Sequence, residues 1–177
     1  MTNVSAKVVL IGPMAAGKTK IGKRVAKILG APRYDTDKVF VSQHGEIAQF
    51  FETHGEPAFR AIESALVRET TAEPAVVSLG GGAVLDPASQ ELLVTLPVVY
   101  LTVSAEAVAS RLGEGKRPLV ADEGVTAWKR IFEARQPIYE RLASRTYDTS
   151  RGNLDEIADD IAHWVASDYQ ASKRDGL

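Results

Sequence analysis

Hydrophobic positions along this chain alternate between short continuous runs and stretches of helical spacing. Val8, Val9, Leu10 and Ile11 form an unbroken apolar run closed by Gly12, and beyond it Ile21, Val25, Ile28 and Leu29 recur at i, i+4, i+7 and i+8. The first pattern predicts a strand buried on both faces and the second an amphipathic helix. Gly30 and Pro32 end that helix; residues 33–36 predict a second strand, and residues 38–71 a helical region broken near Gly45 and Gly55. A third strand is expected over 75–79 and a fourth over 97–103, followed by a helix over 105–112. The polar segment 113–124, with Gly113, Gly115 and Gly124, has the composition of a mobile lid. A long helix over 125–144, a short strand over 146–149 and a last helix complete the pattern. Asn153 is the expected N-cap of that helix, with Leu154, Ile157, Ile161 and Val165 as its core stripe, and residues 170–177 read as a frayed tail. Short strand runs alternating with helical patterns predict an α/β domain with a parallel sheet.

Composition narrows the classes without changing that picture. The 177 residues are 45% hydrophobic and 25% charged, as expected of one folded domain. A net charge of −2 gives no electrostatic reason to expect nucleic-acid or membrane-surface binding. With no cysteine and only His44, His54 and His163, thiolate metal sites, disulfide scaffolds and cysteine nucleophiles are excluded, and a histidine cage is disfavoured. The longest apolar stretch, residues 94–103, is about half the ~20 residues a membrane-spanning helix needs.

Chemistry enters at Gly12-Pro13-Met14-Ala15-Ala16-Gly17-Lys18-Thr19, which matches G-x-x-x-x-G-K-[ST] between a buried strand and an amphipathic helix. In such a loop small residues let backbone N–H groups face phosphates, the lysine bridges the β- and γ-phosphates, and the hydroxyl ligates Mg²⁺. Asp35-Thr36-Asp37 follows the second strand, where the carboxyl ends of parallel strands open on the ligand crevice. Two readings of that pair stand open: one carboxylate supporting Mg²⁺ while the other takes a proton from an acceptor hydroxyl, or Asp37 as a plain helix cap. Gly80-Gly81-Gly82 permits close backbone approach to a ligand, or simply a tight turn. Arg60 and Arg135 either lie in surface ion pairs or converge on a substrate carboxylate. Arg117, in the glycine-flanked segment, suits an internally supplied arginine finger, and Arg111 a platform for adenine. Trp128 and Trp164 fall on predicted helices and are read as packing residues.

As a set, these segments resemble the shikimate kinase family over nearly the whole chain, from Lys7 to about Val165. The phosphate loop, Asp35-Thr36-Asp37, Phe59-Arg60-Ala61-Ile62-Glu63, the glycine triplet, Arg117-Pro118-Leu119 and Arg135-Gln136-Pro137-Ile138-Tyr139 carry the resemblance. It implies a three-layer P-loop kinase fold with a five-stranded parallel sheet in the order 2-3-1-4-5, and transfer of phosphate from ATP to the 3-hydroxyl of shikimate. It further implies Asp37 on the ring hydroxyls, Arg60 and Arg135 on the carboxylate, Gly80, Gly81 and Gly82 as the substrate wall, and Lys18 and Arg117 on the phosphates. Gly12, Ala15, Ala16, Gly17, Thr19, Lys20, Arg111 and Arg151 are the expected remaining ATP contacts, with Mg²⁺ held by Thr19 and supported by Asp35. A cytoplasmic monomer whose partners are ATP and shikimate is the expectation.

Three positions depart from the family pattern. Ala15 stands where a loop glycine is usual, which predicts either an ordinary αR or β backbone there or a nucleotide held slightly differently. Lys20 replaces a hydroxyl residue after the loop, and residues 150–154 lack the proline that some members set against adenine. Two other functions compete: a gluconate kinase of the same architecture, and a catalytically silent nucleotide-binding module.

Overall fold

A computed structural model describes residues 5–113 and 121–167 of the chain. Arg117, most of the expected lid and the tail beyond 167 lie outside the described residues. Five strands, β1 (Val8–Ile11), β2 (Arg33–Asp35), β3 (Val76–Ser78), β4 (Val98–Thr102) and β5 (Arg145–Asp148), form one sheet in the order β2-β3-β1-β4-β5. Every neighbouring pair is parallel, with Val9 of β1 opposite Val77 of β3 and Val98 of β4. Seven helices complete the described elements: α1 (Lys18–Leu29), α2 (Thr36–His44), α3 (Ile47–Thr71), α4 (Pro87–Leu93), α5 (Ala105–Gly113), α6 (Ala121–Leu142) and α7 (Leu154–Ala166).

The continuous apolar run of β1 has the physical cause expected of it, since both faces of the sheet are covered. Val8 and Leu10 join Val76, Val99 and Leu101 in a core completed by α1, α5 and α7. Val9 and Ile11 point the other way, into a core with Val77, Val98, Tyr100, Val67, Leu93 and Tyr139. A third, smaller core lies outside these layers: Phe40 of α2 packs against Phe50 and Phe59 of α3, with ring centroids 5.1 and 4.8 Å apart. This aromatic cluster braces the helices that carry Asp37 and Arg60.

Several boundaries differ from expectation for local reasons. The break in α3 falls at Gly55, as expected. The helix after β2 begins at Thr36, because Asp35 rather than Asp37 is its N-cap, accepting a hydrogen bond from the Lys38 amide at 3.3 Å. Sequence periodicity missed α4 and the 3₁₀ turn at Ala83–Leu85 before it; α4 is only seven residues long, too short to display a repeat. The segment expected to be loop over 113–124 is helical at both ends, since α5 runs through Gly113 and α6 starts at Ala121. Asn153 caps α7 through the Asp155 amide at 2.9 Å, as its position predicted. Among the described residues no helix is long and apolar enough to cross a membrane.

Helix α7 supports α1 from below, with Ile161 fully buried between them and the sheet. Ile161→Ala is therefore expected to cost about 2–5 kcal/mol, whereas Lys23→Ala on the exposed side of α1 stays within about 0.5 kcal/mol of the parent. Urea unfolding followed by circular dichroism checks both values.

Candidate active site

The loop from Gly12 to Gly17 joins the end of β1 to the start of α1, so its position follows from the most deeply buried strand of the sheet. Each carbonyl from Gly12 to Ala16 accepts a hydrogen bond from a side chain. The Lys18 ammonium donates to Gly12 O at 2.7 Å and Pro13 O at 2.8 Å. The Trp128 indole donates to Met14 O at 3.0 Å, an Arg111 guanidinium nitrogen to Ala15 O at 2.5 Å, and the Thr149 hydroxyl to Ala16 O at 2.8 Å. Because a planar trans peptide sets its N–H opposite its C=O, fixing these carbonyls fixes the direction of the following amides as well.

Within this loop Ala15 has φ of +67°. The expectation of an ordinary αR or β backbone is thus overturned: alanine occupies the left-handed conformation that glycine takes freely, at a cost of about 1–2 kcal/mol. Arg111 spends the edge of its guanidinium on Ala15 O and on the carbonyl and hydroxyl of Thr149, which leaves only its planar faces to meet a ring. Arg151 is exposed in the loop after β5.

Lys18, Thr19 and Lys20 open onto a cleft of about 640 Å³ that is also lined by Asp35, Asp37, Gly81, Trp128, Phe132, Arg135 and Tyr139. Burial pulls the Lys18 pKa down to about 8, against the opposing pull of Asp37 and Asp35. The Thr19 hydroxyl donates to Asp35 at 2.8 Å. Burial, and then the charge of Asp35, push the Asp37 carboxyl above the usual carboxylate range, while Lys18 and Arg60 act the other way. A carboxylate so raised is a better proton acceptor than a free surface aspartate.

Beside the loop, the glycine triplet follows β3. A Cβ on Gly80 would sit 2.5 Å from Asp37 Oδ1 and 3.0 Å from Glu63 Oε1. One on Gly82 would overlap the Arg60 guanidinium, reaching Nη2 at 2.7 Å and Cζ at 2.8 Å. At Gly81 the nearest atoms include Arg135 Nη1 and the Tyr139 hydroxyl oxygen, both 3.6 Å from where a Cβ would stand. The absence of side chains at Gly80 and Gly82 therefore lets Asp37 and Arg60 press against this backbone, with Arg135 in ordinary contact range of Gly81 between them. Thr36 ties this turn to the β2 end, its buried hydroxyl accepting from the Gly80 amide at 3.0 Å.

Three contributors had been given no chemical role from the sequence. Glu63, only 5% exposed, pairs with Arg60 at 2.6 Å, and Glu56 takes the other side of the same guanidinium at 3.1 Å. Burial drives the Glu63 carboxyl upward and Arg60 opposes it. Tyr139 donates its hydroxyl to Gly81 O at 2.5 Å, and its pKa is pushed up to about 12 by burial. Trp128, read as a packing residue, is buried and also bonds the phosphate loop. The i, i+3 spacing of Arg60 and Glu63 was a usable signal; nothing near Trp128 in the chain pointed to Met14.

Comparison with known proteins bears on the chain as a whole. The shikimate kinase family model matches residues 14–166. A shikimate kinase of Corynebacterium efficiens is 38% identical over 164 residues, covering 91% of this chain and 97% of that protein. One from Mycobacterium avium is 42% identical over 151 residues, covering 83% of this chain and 86% of its own length. The structure of shikimate kinase from Acinetobacter baumannii in complex with shikimate superposes with a TM-score of 0.82 at 31% identity, covering 93% of this chain and 94% of that one. The sheet order is the one that the resemblance implied. On sequence and architecture together, the chain belongs to the shikimate kinase family.

Proposed function

We propose that this protein transfers the γ-phosphoryl group of ATP to the 3-hydroxyl of shikimate, giving shikimate 3-phosphate and ADP. The observation that carries the reading is the convergence of Asp37, Arg60 and Arg135 on the Gly80–Gly82 backbone, with Asp37, Gly81 and Arg135 lining the same cleft as Lys18. Shikimate is a polyhydroxylated carboxylic acid, and this arrangement offers both of the recognition elements that it requires. Two guanidinium groups suit its carboxylate, and Asp37 suits its hydroxyls.

In the reaction the 3-hydroxyl oxygen forms a bond to the γ-phosphorus, the bond from that phosphorus to the β–γ bridging oxygen breaks, and ADP departs with the electron pair. Asp37 takes the hydroxyl proton. With a largely dissociative transition state the nucleophile needs little activation, so the protein's main contributions are alignment and neutralisation of charge. Lys18 provides a cation for the β- and γ-phosphates, the Gly12–Gly17 amides line the phosphate path, and Lys20 adds charge at the cleft. Arg117 acts from the segment between α5 and α6 by family resemblance.

The donor set also fits Mg²⁺, a hard cation that favours oxygen ligands. Thr19 would hold it, since its hydroxyl spends its proton on Asp35 and keeps its lone pairs, and Asp35 would support it from behind. Bound there, the ion supplies neutralisation of the phosphate oxygens. A monomer is part of the same proposal, and dependence on ATP suits the cytoplasm.

ADP release with Mg-ATP and shikimate, quinate, gluconate or no acceptor, followed by mass detection of the product, tests the reading. Turnover is expected with shikimate; turnover with gluconate alone, or with no acceptor at all, would overturn the assignment. Asp37→Asn is expected to lower kcat by about 10²–10⁴-fold with Mg-ADP affinity retained. Arg60→Ala and Arg135→Ala are each expected to raise the shikimate KM by about 10–100-fold, as loss of a charged hydrogen bond implies. Initial-rate kinetics and calorimetric ADP titration separate these effects.

A further inference from the structure

The phosphate loop of this chain places alanine in a left-handed conformation with an indole bonded to the carbonyl just before it. Trp128 sits on the second turn of α6, buried at 6% exposure, its ring stacked on Phe132 with centroids 5.0 Å apart and planes 12° from parallel. That stack fixes the plane of the indole, and so aims Nε1–H at Met14 O, which it meets at 3.0 Å. The next carbonyl, that of Ala15, is held by Arg111. The two bonds bracket the Met14–Ala15 and Ala15–Ala16 peptides, whose rotation sets both φ and ψ of Ala15. An unrestrained alanine would leave the left-handed region for αR or β space, and both peptides would turn with it.

We infer that Trp128 is a positioning residue for nucleotide binding: its indole N–H holds the Met14 carbonyl so that Ala15 stays left-handed and the adjoining amides keep their direction toward phosphate. The inference rests on reading Gly12–Thr19 as the ATP phosphate site. It also gives the Ala15 departure a physical counterpart. Where glycine would adopt the loop conformation unaided, alanine requires restraint from α5 and α6. Those two helices flank residues 114–120 on either side, so the helices entering and leaving that segment both grip the phosphate loop.

Trp128→Phe keeps an aromatic ring on Phe132 and removes the donor. Calorimetric titration with Mg-ADP is expected to give about tenfold weaker binding for Trp128→Phe, the loss of one well-made hydrogen bond plus the loop order that depends on it. The shikimate KM is expected to stay within about twofold of the parent, because Asp37 and Arg60 lie on α2 and α3, and Arg135, which shares α6 with Trp128, lies about two turns further along it. Ala15→Gly added to Trp128→Phe is expected to restore ADP affinity to within about threefold of the parent, because glycine needs no restraint. A residue that merely packs the core would not be rescued at position 15. Unchanged ADP affinity in Trp128→Phe, or a double variant as weak as the single one, would overturn the inference. Failure of the parent protein to bind Mg-ADP would instead overturn the functional reading, and this inference with it.

A second measurement uses the unaltered protein and so is independent of how well any variant folds. Trp128 and Trp164 are the only two indoles in the chain. In ¹H–¹⁵N spectra the Trp128 indole resonance is expected to exchange slowly with solvent and to shift on saturation with Mg-ADP. Rapid exchange with no shift would contradict a bond to the loop.

Discussion

Close approach to backbone without side chains is the constraint on which the acceptor half of this molecule depends. Asp37 arrives from the start of α2, Arg60 from the middle of α3, the next helix, and Arg135 from α6, far along the chain. Asp37 and Arg60 reach the turn because Gly80 and Gly82 present no Cβ to hold them off, while Arg135 lies at ordinary contact distance from Gly81. Strand β3 ends the turn beside β1, and so beside the phosphate loop, which means that one sheet register sets the distance between acceptor and donor groups. The small aromatic core of α2 and α3 then steadies Asp37 and Arg60 without drawing on the two main cores.

The donor half is organised by a different rule. Its loop is held through its carbonyls, by Lys18 from α1, Arg111 from α5, Trp128 from α6 and Thr149 from the end of β5. An anion site made of backbone amides works only if those amides keep their direction when no anion is there to align them. Side-chain donors from three helices and the end of β5 accomplish this. Glu63 performs a comparable service on the acceptor side, where it and Glu56 occupy two edges of Arg60 and fix its guanidinium plane.

What could be read directly from the chain followed the range of the interactions concerned. Strands and helices declare themselves within a few residues, so the sheet, the loop and six of the seven helices were legible, and only α4 was too short. The loop motif and the glycine triplet carried their own reasons. The choice of Asp35 over Asp37 as the helix cap turned on a single residue of strand length, which periodicity does not resolve. The carbonyl anchors were invisible because their partners lie 114, 96 and 133 positions away for Trp128, Arg111 and Thr149. The same distance hid the conformation of Ala15, whose local preference is against what the tertiary contacts impose.

A side-chain-free wall is what lets Arg60 reach the acceptor. Gly82 has φ of −92° and ψ of −7°, a conformation open to alanine, so Gly82→Ala adds a methyl group without backbone strain. Equilibrium binding of shikimate and of Mg-ADP to this one variant is the most direct measurement. The account predicts shikimate affinity weakened by about tenfold or more, as displacement of a charged hydrogen-bonding group implies, with ADP affinity unchanged. Shikimate affinity equal to that of the parent would contradict it.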